Sequence, residues 1–159
     1  MGRLPRGKRG RVRAGMPYGL SSEEIEWLRE GYRMFREGDP AFMDYYAPDA
    51  KFSFPATLPA GGTYDGPFDA MEFWTTIGEL FEAPHAEPEE FLRAEDRVVV
   101  LGTWRARSHQ TGEEVTARFV HAFRMSGDGG SLMDQKTVSF ELFIDTAVIL
   151  QSLEGSASG

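Results

Sequence analysis

Hydrophobic residues first recur at helical spacing at Ile25, Leu28, Tyr32 and Phe35, with Glu23, Glu26, Arg29, Arg33 and Arg36 between them. That period predicts an amphipathic helix with one apolar face. Ser21-Ser22-Glu23-Glu24 supplies its start, because a Ser followed three residues later by Glu can satisfy two unpaired amides of a helix N-terminus. Gly38 closes it. Asp39-Pro40 then predicts a second helix, with an N-cap and a first-turn proline, that carries Phe42, Tyr45 and Tyr46 and ends at Pro48. A third helix opens near Pro67, places Phe68, Met71, Trp74, Ile77 and Phe81 on one stripe, and stops at Pro84.

The remaining apolar positions alternate instead. Lys51-Phe52-Ser53-Phe54 reads as a short strand, and residues 55–66, with Gly61-Gly62, read as a loop. Beyond an acidic linker come strand-like runs at 90–94, 97–108, 115–125 and 137–144, separated by turns at 95–96, 109–114 and 126–135. Period-two alternation assigns their faces. Val100, Gly102, Trp104 and Ala106 oppose Arg105 and Arg107; Val115, Ala117, Phe119, His121, Phe123 and Met125 oppose Arg118 and Arg124; Val138, Phe140, Leu142 and Ile144 form the apolar set of the last run. Asp145 then opens a short terminal helix with Ala147, Val148 and Leu150. Three helices followed by mostly antiparallel strands make a segregated α+β layout. Val99, Leu101, Val120, Ala122 and Phe143 fall on the opposite side of the sheet, and an apolar surface of that kind predicts a homodimer.

Composition narrows the chemistry. The 159 residues are 41% hydrophobic and 13% aromatic, enough for one substantial core, and contain no cysteine. Thiolate nucleophiles, thiolate metal sites and disulfides therefore drop out. No apolar run approaches a membrane span and the N-terminus lacks the apolar segment of a secretory signal, so the expected location is cytoplasmic. Residues 1–19 carry six basic residues and no acidic ones; setting those six aside leaves 11 basic against 25 acidic residues, or minus 14 for residues 20–159. A domain that acidic repels phosphate backbones, which argues against a nucleic-acid partner. The expected organisation is a disordered basic arm over 1–19, a folded domain over 20–153 and a frayed tail over 154–159.

His121 carries the sharpest chemical signal: an imidazole between Phe119 and Phe123, near Trp104, would be desolvated and could act as a neutral base or donor near pH 7. Tyr32 could bring its hydroxyl to the same space, while Trp74 and Trp104 serve core and pocket wall. Asp145 and Glu141 are the acidic candidates on or after the last strand; Asp145 also suits an N-cap, and Glu141 alternates away from Phe140 and Leu142. No two histidines have metal-ligand spacing, so no metal is expected. The run at 127–130 lacks the Lys-Ser/Thr ending of a phosphate loop.

Phe35-Arg36-Glu37-Gly38-Asp39, Tyr46-Ala47-Pro48-Asp49-Ala50, Gly62-Thr63-Tyr64-Asp65-Gly66 and Phe143-Ile144-Asp145-Thr146-Ala147, in this order, resemble the superfamily of nuclear transport factor two, ketosteroid isomerase and SnoaL-like polyketide cyclases. The resemblance, over about residues 20–153, implies three N-terminal helices packed on a strongly curved antiparallel sheet, forming a cone-shaped barrel with an apolar pocket, often as a homodimer. On it, the isomerase's catalytic base falls on Phe54, which cannot take a proton, and its protonated carboxyl falls on His121. The SnoaL-like cyclases are closer, through a strand histidine matched by His121 and an acidic partner sought at Glu141 or Asp145. The expected function is binding of a small hydrophobic molecule, without cofactor, in a pocket lined by Tyr32, Phe54, Trp74, Trp104, Phe119, His121 and Phe123. The alternative is a cofactor-independent cyclase or isomerase acting by acid/base catalysis on a small hydrophobic carbonyl compound.

Overall fold

Helix α1, Ser22–Glu37, starts and stops where its end signals lie. Glu24 N donates to Ser21 Oγ at 3.1 Å and Ser21 N to Glu24 Oε1 at 3.0 Å, closing the capping box. Gly38 ends it at φ 74°, a left-handed conformation that glycine adopts without a Cβ clash. The computed structural model describes residues 19–127 and 130–154. The expected basic arm, apart from Gly19, and the tail beyond Glu154 lie outside the described residues.

The second helix is shorter than its signals implied. Asp39 caps it through Ala41 N, but it is a 3-10 helix, Pro40–Tyr45, and the chain turns extended at Tyr46. Pro48 disfavours helical geometry at Ala47, so the tract read as a helix end becomes the start of strand β1, Tyr46–Phe54. Strand β2, Gly62–Asp65, lies inside the expected loop and pairs antiparallel with β1. Helix α2, Pro67–Leu80, buries Ala70 and Phe73 together with Ile77; of the expected stripe Ile77 and Phe81 are buried and Trp74 packs against the core, whereas Phe68 is 81% exposed.

The acidic linker is strand. Chain direction changes at Phe81, and β3 runs Phe81–Ala94 through Pro84 and Pro88. Both prolines and the glutamates around them are tolerated because β3 is an edge, where one side of the ladder needs no N–H donors and charge discourages further pairing. Strands β4 (Arg97–Ser108), β5 (Glu114–Met125) and β6 (Thr137–Ile144) occupy the expected runs, and α3, Thr146–Glu154, closes the chain. The hairpin between β5 and β6 holds a short 3-10 turn, Leu132–Asp134.

The strand order is β2-β1-β6-β5-β4-β3. All neighbours are antiparallel except β1 and β6, which run parallel with Phe52 beside Phe140. The expected curved, mostly antiparallel sheet is present, but the expectation of a cone-shaped barrel is corrected: this is an open, curved six-stranded sheet with one parallel pair. The expectation of three helices before the sheet is corrected too, since β1 and β2 come before α2 and α3 follows β6. Helices α1 and α2 cover the concave face, and register places His121 between Val100 of β4 and Leu142 of β6. Gly102 has the closest approach in that wall: a Cβ there would stand 2.2 Å from the Glu87 carbonyl oxygen and 2.7 Å from the Phe119 ring.

Candidate functional site

A cavity of about 160 Å³ lies between the concave face of the sheet and the helices above it. Alternation along β5 sends Phe119, His121, Phe123 and Met125 into it, and β6 adds Phe140, Leu142 and Ile144. Helix α1 contributes Leu28, Tyr32 and Phe35, about one turn apart along one face, with Trp27 beside them, and α2 contributes Phe73, Trp74 and Ile77. Phe54 stacks on Phe73 with ring centroids 3.9 Å apart and meets Trp74 edge-on at 5.8 Å, which fixes the far wall. Tyr32, Phe54, Trp74, Trp104, Phe119, His121 and Phe123, the residues expected from alternation and resemblance, all line this one cavity.

Its polar centre is a pair. The Tyr32 hydroxyl and His121 Nδ1 are hydrogen-bonded at 2.7 Å, with the two ring planes within 6° of parallel. Aromatic rings surround the imidazole: Phe119 at 4.2 Å, Phe140 at 5.0 Å and Phe123 at 6.1 Å between centroids. Replacing water by those rings disfavours the imidazolium, so burial pushes the His121 pKa down to about 3. Burial first, and then proximity to Tyr46, raises the Tyr32 hydroxyl well above its ordinary value. Both members are uncharged across the physiological range.

No carboxylate lines the cavity among the described residues. Glu141 lies opposite Ala122 on the convex face, exposed, and Asp145 is exposed at the start of α3, where its Oδ1 accepts a long 3.4 Å hydrogen bond from Val148 N. The structure thus brings His121 to Tyr32 and leaves both acidic candidates outside. Among the described residues no group of three His, Asp or Glu side chains is placed to hold a metal ion.

Sequence reading missed several walls. Tyr45 and Tyr46 seemed helix residues; Tyr46 instead heads β1 and faces the cavity, and Tyr45 donates to the Trp27 carbonyl at 2.7 Å. His85, assigned to a linker, stands at the rim. Its Nδ1 lies 3.0 Å from the Ala83 carbonyl oxygen and its Nε2 3.1 Å from Glu87 Oε1, while Glu87 also accepts from Arg105. The alternation around Phe81 and the prolines of an edge strand were the available signal.

The comparisons with known proteins agree with this geometry. No curated protein matches the chain. An NTF2-like protein of unknown function from Burkholderia pseudomallei is similar, with 28% identity over 84% of this chain and 98% of that one, at a TM-score of 0.70. TerC, crystallised with polyporic acid, has 28% identity over 84% of this chain and 99% of its own, at 0.69. An NTF2-like protein from Burkholderia thailandensis, 23% identical over 82% and 96%, shares the fold at 0.70. The SnoaL-like domain matches over residues 28–132, from α1 to the hairpin before β6, and the chain belongs to the SnoaL-like domain family.

Proposed function

We propose that this protein binds a small, uncharged, hydrophobic aromatic molecule in the cavity beneath α1. The observation that carries the reading is the wall itself: a cavity of about 160 Å³, faced by aromatic and aliphatic side chains and furnished with a half-buried, neutral Tyr32–His121 pair. Ligand sites have this make-up, mostly apolar surface with a few placed polar groups that orient the guest. TerC's crystallisation with polyporic acid is in keeping with a small-molecule guest. Acid/base cyclisation or isomerisation is less well supported. A histidine held near 3 is a weak base, and general catalysis works best with a pKa close to the working pH.

Trp27, Trp74 and Trp104 all face the cavity, so occupancy should change tryptophan emission. Saturable quenching or a spectral shift with neutral one- and two-ring aromatic compounds is expected. An emission spectrum indifferent to every such compound up to its solubility limit would overturn the reading.

The partner is a second copy of the chain. On the convex face Leu92 and Phe143 are each 51% exposed, and Val99, Leu101, Val120 and Ala122 lie between them in register. Ion pairs frame this patch, Arg118 with Glu89 on one side and Arg124 with Asp96 on the other. An apolar centre with a charged rim suits a subunit contact. Sedimentation at tens of micromolar should give a dimer, and a monomer there would remove the proposal. Among the described residues no helix is long and apolar enough to cross a membrane.

A further inference from the structure

Strands β1 and β2 form one edge of the sheet and β3 the other, and the cavity wall differs between them. On the β3 side the lining residues His85, Ala86 and Trp104 are half-buried, whereas Phe54, Leu58 and Phe73, where β1 runs into its turn, are each 4% exposed. Leu58 is the odd member of that closed end, because it comes from the turn between β1 and β2 and not from a strand or helix. Ala56 and Thr57 before it are exposed, so the turn drives one large side chain inward. The turn holds itself up. Leu58 N donates to the Pro55 carbonyl at 3.1 Å, Gly61 N to the Leu58 carbonyl at 2.8 Å, and the Tyr64 hydroxyl to the Ala60 carbonyl. At Gly61 the chain doubles back so closely that a Cβ would stand 1.9 Å from the Pro55 carbonyl oxygen. Ala60 sits at φ 58°, a left-handed conformation that is costly for a residue with a Cβ, and strain of that kind collects at ligand clamps.

We infer that Leu58 is the end stop of the cavity and sets the greatest length of guest that it accepts. The inference rests on the cavity being a binding site, and adds the dimension in which it selects. A guest that enters at the His85 rim crosses β4, β5 and β6 before it reaches β1. Along that path each added methylene exchanges water for apolar wall and strengthens binding. At Leu58 the gain stops, because the next carbon must displace a side chain that a tightly folded, self-bonded turn holds in place. A leucine that merely filled the core would cost stability when trimmed, yet would leave the range of accepted guests unchanged.

The n-alkylbenzenes from toluene to hexylbenzene serve as a ruler. Each is titrated into the full chain, with binding read from tryptophan emission, since Trp74 and Trp104 line the cavity. Affinity should rise about fourfold with each added methylene and then stop rising at one chain length. In Leu58→Ala that break should move out by about two to three carbons. Leu58→Val, a milder change that keeps the test open where the alanine variant does not fold, should move it by about one carbon, and Leu58→Phe should bring it in. Leu142→Val makes the same trim beside His121, in the middle of the wall, and should weaken all probes alike with the break in its original place. A break at one length in wild type and every Leu58 variant, or an affinity that climbs unbroken through hexylbenzene, would overturn the inference while the binding reading stands. A break that moves equally in Leu142→Val would make total volume the filter and would also overturn it. If no alkylbenzene changes the emission of the unaltered protein, the binding reading fails and takes the inference with it.

Discussion

Helix α1 carries two buried polar centres two turns apart, and they are built differently. At Glu24 both carboxylate oxygens are engaged. Oε1 accepts from Ser21 N, and Oε2 accepts from Leu132 N at 3.0 Å and Arg93 Nη1 at 3.1 Å. Arg93 in turn donates to the carbonyls of Glu95 and Gly130. At Tyr32 one hydrogen bond reaches His121, whose ring is part of the cavity wall. The first centre ties α1, the end of β3 and the β5–β6 hairpin into one unit. The second lies in the cavity wall. Buried polar groups are costly unless satisfied, so a saturated cluster marks structure and an unsaturated one beside a cavity marks a place for a guest.

That contrast predicts unequal mutational costs. Glu24→Ala strands the Arg93 guanidinium, whose side chain is 5% exposed, and also leaves the Leu132 and Ser21 amides without their acceptor. Breaking a buried pair from one side costs about 3–5 kcal/mol, to be read from denaturant unfolding. His121→Phe, by contrast, keeps an aromatic ring among aromatic rings and takes one neutral acceptor from the Tyr32 hydroxyl; its cost should be about 1–2 kcal/mol, below that of Glu24→Ala. Equal losses at the two sites would break the comparison.

The wall of the cavity ranks next. Gly102→Ala would drive a methyl into the Glu87 carbonyl and the Phe119 ring, and the backbone of β3 cannot yield as a side-chain tip can. Overpacking of this sort costs about 1–3 kcal/mol, and it should also weaken ligand binding because Phe119 is displaced toward His121. A substitution that leaves both stability and binding intact would show that β3 is looser at its bulge near Pro88 than the register implies.

Acid separates the two centres by pH window. His121 has a folded-state pKa pushed down by burial to about 3, from an ordinary 6.5. Between those values the unfolded chain binds a proton that the folded chain refuses, so stability falls as pH drops below 6.5, by at most about 1.4 kcal/mol per unit. Glu24 behaves as a paired carboxylate. Burial alone would raise it, but the Ser21 and Leu132 amide bonds, the Ser21 hydroxyl and the Arg93 charge outweigh that, and the net shift is downward from 4.5. Its stabilisation is present above 4.5 and is lost only as pH falls through its lower folded value. Wild type should lose stability with acid already between pH 6.5 and 4.5, and His121→Phe should flatten that part of the curve while keeping the steeper loss below 4.5. Unfolding midpoints across the series decide it.

Much of this was legible in the chain. The capping box at Ser21, the αL glycine at 38 and strict alternation along β4, β5 and β6 are local signals, and each element sits where its signal lies. His121 and the ring residues beside it followed from period two alone. Prolines misled. Pro48 and Pro84 read as helix stops, whereas one sits in the irregular part of β1 between paired positions 46 and 51 and the other in an edge strand. Whether a proline ends a helix or interrupts a ladder depends on what pairs beside it, and that is tertiary information. The partner of His121 was sought among acids on the last strand, because alternation says which face a residue takes but not which helix lies above it. Tyr32, already a pocket candidate, supplies that partner from a helix 89 residues away in sequence.

The smallest expected effects concern the two acids that alternation and resemblance had put forward. Glu141 is exposed on the convex face opposite Ala122, with the sheet between its carboxylate and the cavity. Glu141→Gln should therefore leave the affinity for a neutral aromatic ligand unchanged, and any effect on stability belongs to the convex face proposed as the subunit contact. Asp145 caps α3 through a single long bond to Val148 N, so Asp145→Ala should cost about 0.5–1 kcal/mol, again with no change in ligand affinity. The two variants probe the same question from opposite sides of the strand end. If either lowered ligand affinity tenfold while its unfolding free energy held, a carboxylate would be acting at the cavity, and the contrast between a saturated Glu24 centre and a carboxylate-free His121 centre would no longer describe this fold. If both leave affinity where it was, no carboxylate acts at the pocket, and a ligand is matched there by neutral phenol, imidazole and indole groups.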